Sequence, residues 1–511
     1  MNPTRTFFFA LPLRTRPIGK TTQGKRPCQN SYTSRHRDTP NVPPIAPGAE
    51  SLGSRYRARG LRLLLALLAS APFSGAGTEA AAAESYAESV VERTLDNGLE
   101  VLLLEDHKAP VAVVQVWYRV GSRNETPGRT GLSHMLEHML FKGTTRFGDG
   151  EYSRLISRNG GDENAFTSDD ATTYFAKLAS DRLDIELELE ADRMRNLILT
   201  EERFAPERNV VAEERRLRVD DDPIAFMMET LSAHAFLEHP YRQPIIGWAG
   251  DIQSWTLEDL RTHYDRYYQP NNAVLVVVGD FDAATLGRRI ETLFGSIPRG
   301  PDAPAVSIRE ETPRGARRIE VRRQAQLPFI VIAWQVPNFI HPDGPALDVL
   351  STVLAGGKSS RLWEKLVREE RLALDVGAGF STTSIDNKLF TVSGQPQPGI
   401  APEKLEAALL DQIAAVAKEG VKTDEVSRAK AQIEAAAIFA QDSMFYRAML
   451  LGSWEMTGDW RRIDAYLPAI RKVTAADLKR VALEWLGTPN RAVGVLIPES
   501  AGTATPARKA S

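Results

Sequence analysis

Cysteine is almost absent from this chain, which has one, Cys28, in 511 residues. A single cysteine cannot form a disulfide within the chain, and it cannot build a zinc site from several thiolates. Any bound metal ion must therefore use histidine and carboxylate ligands. Histidine is also scarce, with eight in the sequence, so two histidines at a ligand-like spacing are an informative signal.

Long hydrophobic runs are absent as well. An apolar run of about nine residues begins at Leu63, far short of the roughly 18 residues that a membrane-spanning helix needs. The sequence therefore predicts no stable membrane span. Positive charge is not in excess either, because the formal net charge is −3, and the first 85 residues have 12 basic against 4 acidic residues, which leaves the remainder near −11. The acidic remainder is a poor match for nucleic acid, so no nucleic-acid partner is expected.

The first 85 residues have the composition of a targeting region. The stretch RYRARGLRLLLALLASAPFSGAGTEAAAAES combines a basic run, an apolar run and small residues up to Ala83. This pattern predicts a secretory signal peptide at about residues 55–83, and hence a periplasmic or secreted protein. A stop-transfer anchor is one alternative. A mitochondrial transit peptide, with the matrix as destination, is another, because the upstream residues are rich in Arg, Pro and Ser; a mistaken start of translation explains those residues better.

The remaining residues indicate two similar halves of mixed α and β structure. Each half opens with strand patterns, as in EVLLLED and FIVIAWQV, and continues with helical patterns. One further strand is predicted over residues 164–178, NAFTSDDATTYFAKL. The predicted organisation is a first domain at 86–295, a linker at 296–308, a second domain at 309–498 and a disordered tail at 499–511.

The duplication is visible when the two halves are aligned at an offset of about 220 residues. ERNVVAEERRLRVDDDP then falls opposite RAKAQIEAAAIFAQDS, with Arg208 opposite Arg428 and Glu214 opposite Glu434. A helical run at 131–142 has LDVLSTVLAGG as its counterpart, and that counterpart contains no histidine. The sequence thus predicts a duplicated α+β unit with its chemistry in the first copy only.

The helical run of the first half, GLSHMLEHMLFKGT, contains two of the eight histidines. His134 and His138 are four residues apart, so on an α-helix both imidazoles project from one face and can share a metal ion. Glu137 lies about 100° round the helix from His138, where it can reach a water molecule bound to the metal. This pattern is H-x-x-E-H, the reverse of the commoner H-E-x-x-H zinc helix. The alternative is that both histidines are hydrogen-bonded core residues.

A catalytic zinc ion needs a third protein ligand. The segment FAPERNVVAEERRLRVDDDP offers Glu207 and Glu214, which are two helical turns apart and therefore share one face of a helix. An acidic helix is by itself more often a solvated face. Spacing alone therefore leaves both readings of this helix open.

GLSHMLEHMLFKGT, followed by Glu214 in ERNVVAEE, resembles the inverzincins, which are the pitrilysin/insulinase zinc metallopeptidases. Within that family the chain is similar to the mitochondrial-processing-peptidase-like subunits of single length. The resemblance extends from about Ser89 to about Ile497. It implies an α+β fold of two homologous domains, each a mainly antiparallel sheet with helices packed on one face.

The resemblance also implies roles for individual residues. His134, His138 and Glu214 are expected to bind one zinc ion per chain, and Glu137 is expected to be the general base of peptide hydrolysis. Glu207 matches an acid that orients one of the zinc ligands.

The segment ENAFTSDDATTYF resembles the substrate-facing edge strand of the same family. Asn164 and Ala165 are therefore expected to pair with the main chain of a peptide substrate by strand addition. An ordinary internal strand is the alternative.

One segment of the second half departs from the family pattern. Active members contain a stretch such as LREKGLAYSV, whose Arg and Tyr bind the substrate backbone and the developing oxyanion. The matching stretch here is VREERLALDV, with Arg368 in the Arg position and Leu374 in place of the Tyr. The resemblance therefore implies a heterodimer in which a homologous, zinc-free subunit supplies the Arg–Tyr pair. A homodimer that functions without the Tyr is the alternative.

The function predicted from the sequence is zinc-dependent hydrolysis of short or unfolded peptides. A scaffold or assembly subunit of the same fold is a second possibility, although such a subunit is expected to have lost ligands or the base. A peptide-binding module with a structural zinc is a third, although a structural site normally has four protein ligands. The segment HAFLEHPY, which contains His234 and His239 followed by Pro240, is predicted to be a packed loop without a metal.

Overall fold

The computed structural model describes residues 85–499, with the exception of residues 312, 314 and 488. The predicted signal peptide and almost all of the predicted tail lie outside the described residues, so both stay predictions. Within the described part of the chain, every helix is too short or too polar to cross a membrane.

The first half contains a six-stranded sheet with helices. Its strands are β1 (Val90–Thr94), β2 (Glu100–Glu105), β3 (Val111–Tyr118), β4 (Asp162–Thr167), β5 (Thr172–Ala179) and β6 (Ala273–Gly279). Its helices are α1 (Tyr86–Ser89), α2 (Leu132–Met139), α3 (Glu151–Arg158), α4 (Leu183–Arg195), α5 (Glu201–Arg215), α6 (Pro223–Ala235), α7 (Ala249–Ser254), α8 (Leu257–Tyr267) and α9 (Ala283–Phe294). The strand order is β1-β2-β6-β3-β5-β4, and β2 and β6 form the parallel pair in an otherwise antiparallel sheet.

The second half contains a five-stranded sheet. Its strands are β7 (Arg317–Gln324), β8 (Phe329–Val336), β9 (Ala373–Gly379), β10 (Lys388–Pro396) and β11 (Arg491–Glu499). Its helices are α10 (Gly344–Ala355), α11 (Pro402–Glu419), α12 (Thr423–Gln441), α13 (Met444–Met456), α14 (Arg462–Lys472) and α15 (Ala475–Val481). The strand order is β7-β11-β8-β10-β9, and β7 and β11 are the parallel pair.

The predicted duplication is confirmed by the topology. The order β2-β6-β3-β5-β4 in the first sheet corresponds strand by strand to β7-β11-β8-β10-β9 in the second. In each sheet the first and last of these strands along the chain are the parallel neighbours. The helices α5 and α12 also match, at the offset that the sequence repeat predicts. The α+β fold of two homologous units is therefore present.

The single strand predicted over residues 164–178 is wrong, because this segment forms the β4–β5 hairpin. The turn is closed by Ser168, whose backbone N–H and side-chain hydroxyl both donate to the carbonyl oxygen of Ala171. The β-forming Thr, Tyr and Phe residues on both sides of the turn explain why the segment resembles one continuous strand.

The two sheets pack in a reciprocal way. One face of each sheet is covered by helices of its own half, as predicted. The opposite face of the first sheet packs against α13 of the second half, and the opposite face of the second sheet packs against α6 of the first half. The hydrophobic core therefore continues from one half into the other.

Gly452 marks a close approach between α13 and the first sheet. A Cβ atom at this position would lie 2.1 Å from Cε2 of Trp117 on β3. We expect Gly452→Ala to lower the free energy of unfolding by about 2 kcal/mol, because an extra carbon in a filled core forces its neighbours apart. Chemical denaturation measures this change.

Gly250, on α7, provides the matched control. A Cβ atom there would meet no atom within 4 Å, so Gly250→Ala should leave stability unchanged or raise it slightly. Equal unfolding midpoints for the two variants would contradict the close packing of α13 on the first sheet.

Candidate metal centre

The start of α2 is held firmly, which fixes the helix that contains the H-x-x-E-H motif. Gly131 precedes the helix with a φ of +88°, and a Cβ atom there would lie 2.5 Å from the carbonyl oxygen of Ile246. The buried carboxylate of Glu125 accepts hydrogen bonds from the backbone N–H groups of Gly131 at 2.5 Å and Ser133 at 2.7 Å. These bonds satisfy N–H groups that have no partner within the helix.

Helices α2 and α5 bring three potential metal ligands together. His134 and His138 lie on α2 and Glu214 lies on α5, and one potential ligand atom of each lies within 4.8 Å of the others. The Nε2 atoms of His138 and His134 are 3.3 Å and 3.8 Å from Oε2 of Glu214. This is the one group of its kind among the residues that the structure describes.

The three side chains fit a metal ion by the chemistry of their donor atoms. Nε2 of His138 and both carboxylate oxygens of Glu214 are buried without a well-directed hydrogen bond. Buried polar atoms without well-directed hydrogen bonds are costly, and a shared cation would satisfy all of them at once. Two imidazoles and one carboxylate are a donor set that zinc prefers, with a position left open for water or substrate.

Glu207 contacts His138 through the ring nitrogen that does not contact Glu214. Its Oε1 atom lies 2.8 Å from Nδ1 of His138, and its Oε2 atom lies 2.6 Å from Nζ of Lys142. The first contact leaves the Nε2 atom of His138 for Glu214 and for a metal, which is the arrangement expected of an acid that orients a ligand. The contact with Lys142 was not predicted, although Lys142 lies four residues after His138.

Glu137 lies on α2 beside the cluster and is buried. Its Oε2 atom accepts a hydrogen bond of 2.6 Å from Oγ1 of Thr167, the last residue of β4. β4 is the edge strand of the first sheet, so the internal-strand alternative for Asn164 and Ala165 is wrong. Thr167 was not predicted as a site residue, although its side chain lies on the same face of β4 as Ala165.

The pKa values around the cluster are shifted in different directions. Burial raises the pKa of Glu137 to about 7. Burial, together with the positive charge of His138, lowers the pKa of His134 to about 3. Burial by itself would lower the pKa of His138 too, but its contacts with the carboxylates of Glu207 and Glu214 raise it to about 9. A metal ion needs both imidazoles neutral, so metal binding would release the proton held on His138.

Lys142→Met should weaken zinc binding by about tenfold, because Glu207 would lose the cation that fixes its second oxygen. Competition with a chromogenic chelator measures the affinity. Lys108→Met is the control, since Lys108 is an exposed lysine after β2. If the two variants bind zinc equally well, Lys142 does not support the ligand cluster.

Arg368 is not brought into this cluster. It lies in the second half on a π-helical segment, Trp363–Glu369, and its guanidinium pairs with Glu364 while 66% of its side chain is exposed. Leu374 follows on β9, the edge strand of the second sheet, and is also exposed. Between them Arg371 has a φ of +53°. This is a conformation that glycine favours, and LREKGLAYSV has a glycine at this position.

The packed loop predicted for HAFLEHPY is confirmed at His239 and is wrong at His234. His239 is buried, its Nε2 atom lies 3.1 Å from a carboxylate oxygen of Asp386, and its Nδ1 atom accepts a hydrogen bond from the backbone of Tyr241. His234 lies on the last turn of α6 and is exposed.

Similarity to known proteins agrees with the motif. Residues 100–248 match the family model of the insulinases, peptidase family M16, and residues 254–433 match that of the peptidase M16 inactive domain. The zinc protease PqqE of Helicobacter pylori is 35% identical over 407 residues, which are 79% of this chain and 91% of that protein. The chain belongs to peptidase family M16. An uncharacterized zinc protease of Streptomyces coelicolor is 28% identical to this M16 chain over 410 residues, 78% of this chain and 88% of that one.

Solved structures share the same fold. A protease from Helicobacter pylori has a TM-score of 0.77 at 35% identity, with 80% of this M16 chain and 99% of that chain covered. A peptidase M16 inactive domain from Pseudomonas fluorescens has a TM-score of 0.73 at 19% identity, with 81% of this chain and 99% of that chain covered. The insulinase-type membership predicted from the H-x-x-E-H pattern is confirmed. The names of the M16 relatives support zinc and peptide-bond hydrolysis at the level of the family.

Proposed function

We propose that this M16 chain is a zinc-dependent endopeptidase that hydrolyses short or unfolded peptides. The observation that supports it best is the juxtaposition of His134, His138 and Glu214 with a buried acid, Glu137, beside an edge strand. Zinc bound to such a site lowers the pKa of a water molecule and polarises a peptide carbonyl.

Residues of the chain itself supply the remaining steps. His134, His138 and Glu214 hold the zinc ion, and Glu207 keeps the ring of His138 in orientation. Glu137 accepts a proton from the attacking water and then donates it to the leaving amine. The chain thus provides ligands, an orienting acid and a base, with no nucleophilic side chain required.

The edge strand β4 accounts for the class of substrate. An edge strand presents unpaired backbone N–H and C=O groups, to which an extended peptide can add as a further strand. We propose that Asn164 and Ala165 pair with the substrate in this way. A short or unfolded peptide adopts that extended conformation readily, whereas most strands of a folded protein are already paired, which favours short or unfolded substrates.

Hydrolysis of a library of quenched fluorescent peptides tests the proposal. We expect cleavage by the zinc-loaded mature chain mixed with its homologous zinc-free partner, loss of cleavage with a chelator and recovery on adding zinc back. A Glu137→Gln variant measures the cleavage that does not depend on the proposed base. Bound zinc without any cleavage, in the presence of every candidate partner, would instead favour a scaffold subunit.

We further propose that the chain is the zinc-bearing subunit of a heterodimer. Leu374 has no hydroxyl for the developing oxyanion, and the loss of one such donor typically lowers the rate by about 10²–10³. The partner is expected to be a homologous, zinc-free chain with the Arg–Tyr pair, while Arg368 of this chain keeps the substrate-binding guanidinium. Activity that appears only after mixing the two chains supports this assembly, whereas full activity of the chain alone favours a homodimer.

A periplasmic or secreted location is the proposal that the N-terminal sequence supports. The residues directly after the predicted signal peptide are anchored to α14, because Asp464 accepts hydrogen bonds from Ser85, Tyr86 and Ala87. Cleavage near Ala83 would leave this anchor intact. N-terminal sequencing of the protein from fractionated cells distinguishes this location from the mitochondrial matrix.

A further inference from the structure

The hydrogen bond between Thr167 and Glu137 restrains the proposed base. The bond is 2.6 Å long, and both side chains are buried. A carboxylate held through one oxygen cannot rotate freely, so its second oxygen keeps one orientation. Proton transfer depends on such alignment, because the base must stay within hydrogen-bond reach of the proton.

The turn that follows Thr167 is held by the second half of the chain. Lys388, at the start of β10, places Nζ 2.6 Å from Oδ2 of Asp169. The backbone N–H of Ile385 donates to Oδ2 of Asp170 at 3.3 Å. Both contacts come from the second half, and both acidic residues lie in the turn between β4 and β5.

Asp170 has two further partners in the first half. The hydroxyl of Tyr241 donates to its carboxylate at 2.8 Å, and Arg123 lies 3.6 Å from it. Arg123 also pairs with Asp386 of the second half at 2.8 Å. The turn is therefore part of a network of charges with limited exposure, and such networks are rigid when each member has its partner.

We infer that Thr167 is a positioning residue for Glu137, and that Lys388 and Ile385 of the second half hold Thr167 in place through the β4–β5 turn. The inference rests on the proposed function, since it assigns a role to the surroundings of the proposed base. It gives the second half a part in the active site of its own chain.

A neighbouring threonine provides a matched control for the hydroxyl of Thr167. Thr173, on β5, is fully buried, and its hydroxyl has no hydrogen-bond partner. Thr167 differs because its hydroxyl contacts the proposed base. The pair Thr167 and Thr173 therefore separates the effect of the hydrogen bond from the effect of a buried hydroxyl.

The first experiment compares Thr167→Val, Thr167→Ser and Thr173→Val in the zinc-loaded protein, alone or mixed with the partner chain, whichever assembly has peptidase activity. We expect Thr167→Val to lower kcat by about 10- to 100-fold with KM nearly unchanged, the usual worth of a hydrogen bond to a charged group. Thr167→Ser, which keeps the hydroxyl, should retain most of the activity. Thr173→Val should retain wild-type kcat, and all three variants should bind zinc as the wild type does.

The second experiment tests the contribution of the second half. Lys388→Met is expected to lower kcat by about three- to tenfold without a change in KM. Glu92→Gln is the control, because Glu92 forms an ion pair with Arg461 that also joins the two halves but lies outside the β4–β5 turn. The control should leave kcat unchanged.

Several outcomes would overturn the inference. Wild-type kcat in Thr167→Val, or a loss of kcat in Thr167→Ser equal to that in Thr167→Val, excludes the Thr167 hydroxyl as the group that positions Glu137. Wild-type kcat in Lys388→Met excludes a contribution of the second half. A wild-type protein with no activity sensitive to Glu137→Gln contradicts the proposed function instead. Crystal structures then provide the deciding comparison. The inference requires one position of the Glu137 carboxylate in the wild type and several positions in Thr167→Val. The same single position in both structures overturns it.

Discussion

Glu137→Gln should abolish peptide hydrolysis and leave the fold and zinc binding intact. Glutamine has the same shape and can still accept the hydrogen bond from Thr167 through its amide oxygen. It cannot accept a proton from water at neutral pH, so the general-base contribution is lost, and we expect kcat/KM to fall by about a thousandfold. Glu137 is not among the three clustered ligands, so the zinc content should not change.

Glu213→Gln is the matched control for this variant. Glu213 precedes Glu214 on α5 but is exposed and pairs with Arg216. It should show wild-type hydrolysis of the same quenched peptides. Activity retained in Glu137→Gln would mean that another group accepts the proton.

Glu214→Gln should lower the affinity for zinc by more than about a hundredfold. The third ligand would become a neutral amide, a much weaker donor for zinc than a carboxylate. The positive charge of Arg218, whose Nε atom lies 3.1 Å from Glu214, would also lose its partner and further oppose a cation. Activity should fall in parallel, since the site would be mostly empty at ordinary zinc concentrations.

A readout independent of activity is available for Glu214→Gln. A ligand that binds only the folded state raises the unfolding midpoint, so zinc should raise the midpoint of the wild type and of Glu213→Gln. It should have little effect on Glu214→Gln. An equal rise in all three proteins would exclude Glu214 as a ligand.

The sequence predicted the metal helix well because its signal is local. His134 and His138 are four residues apart, and the helical period alone places them on one face. Glu214 is different, because Glu207 and Glu213 lie on the same acidic helix. The resemblance to a family singled out Glu214, and the position of α5 against α2 explains why its carboxylate, and not that of Glu213, faces the histidines.

Thr167 and Lys142 could not be predicted from spacing. Thr167 contacts Glu137 from a strand that is distant in the sequence, and Lys142 contacts Glu207 from beyond the end of α2. Thr167 meets Glu137 only because β4 lies at the edge of the sheet next to α2. Its two-residue spacing from Ala165 was a usable signal for a shared strand face. Nothing local indicates that this face contacts the base.

The sequence also indicates, in part, that the first sheet is buried on both faces. All residues of β6, AVLVVVG, are buried, and such uninterrupted apolar strands indicate cover on both faces. The pattern does not say which helix provides the cover. That information depends on the pairing of α13 with the first sheet, which no local period encodes.

The reciprocal cover of the sheets has a consequence for the newborn chain. All strands of the first sheet have been synthesised once the chain reaches Gly279, but α13 is synthesised only after most of the second half. Until then the face with Val113, Trp117 and Val276 has nothing to pack against. Exposed apolar faces are prone to aggregate, so the nascent first half needs a chaperone or must wait unfolded. Despite its tandem duplication, the chain completes its two halves together.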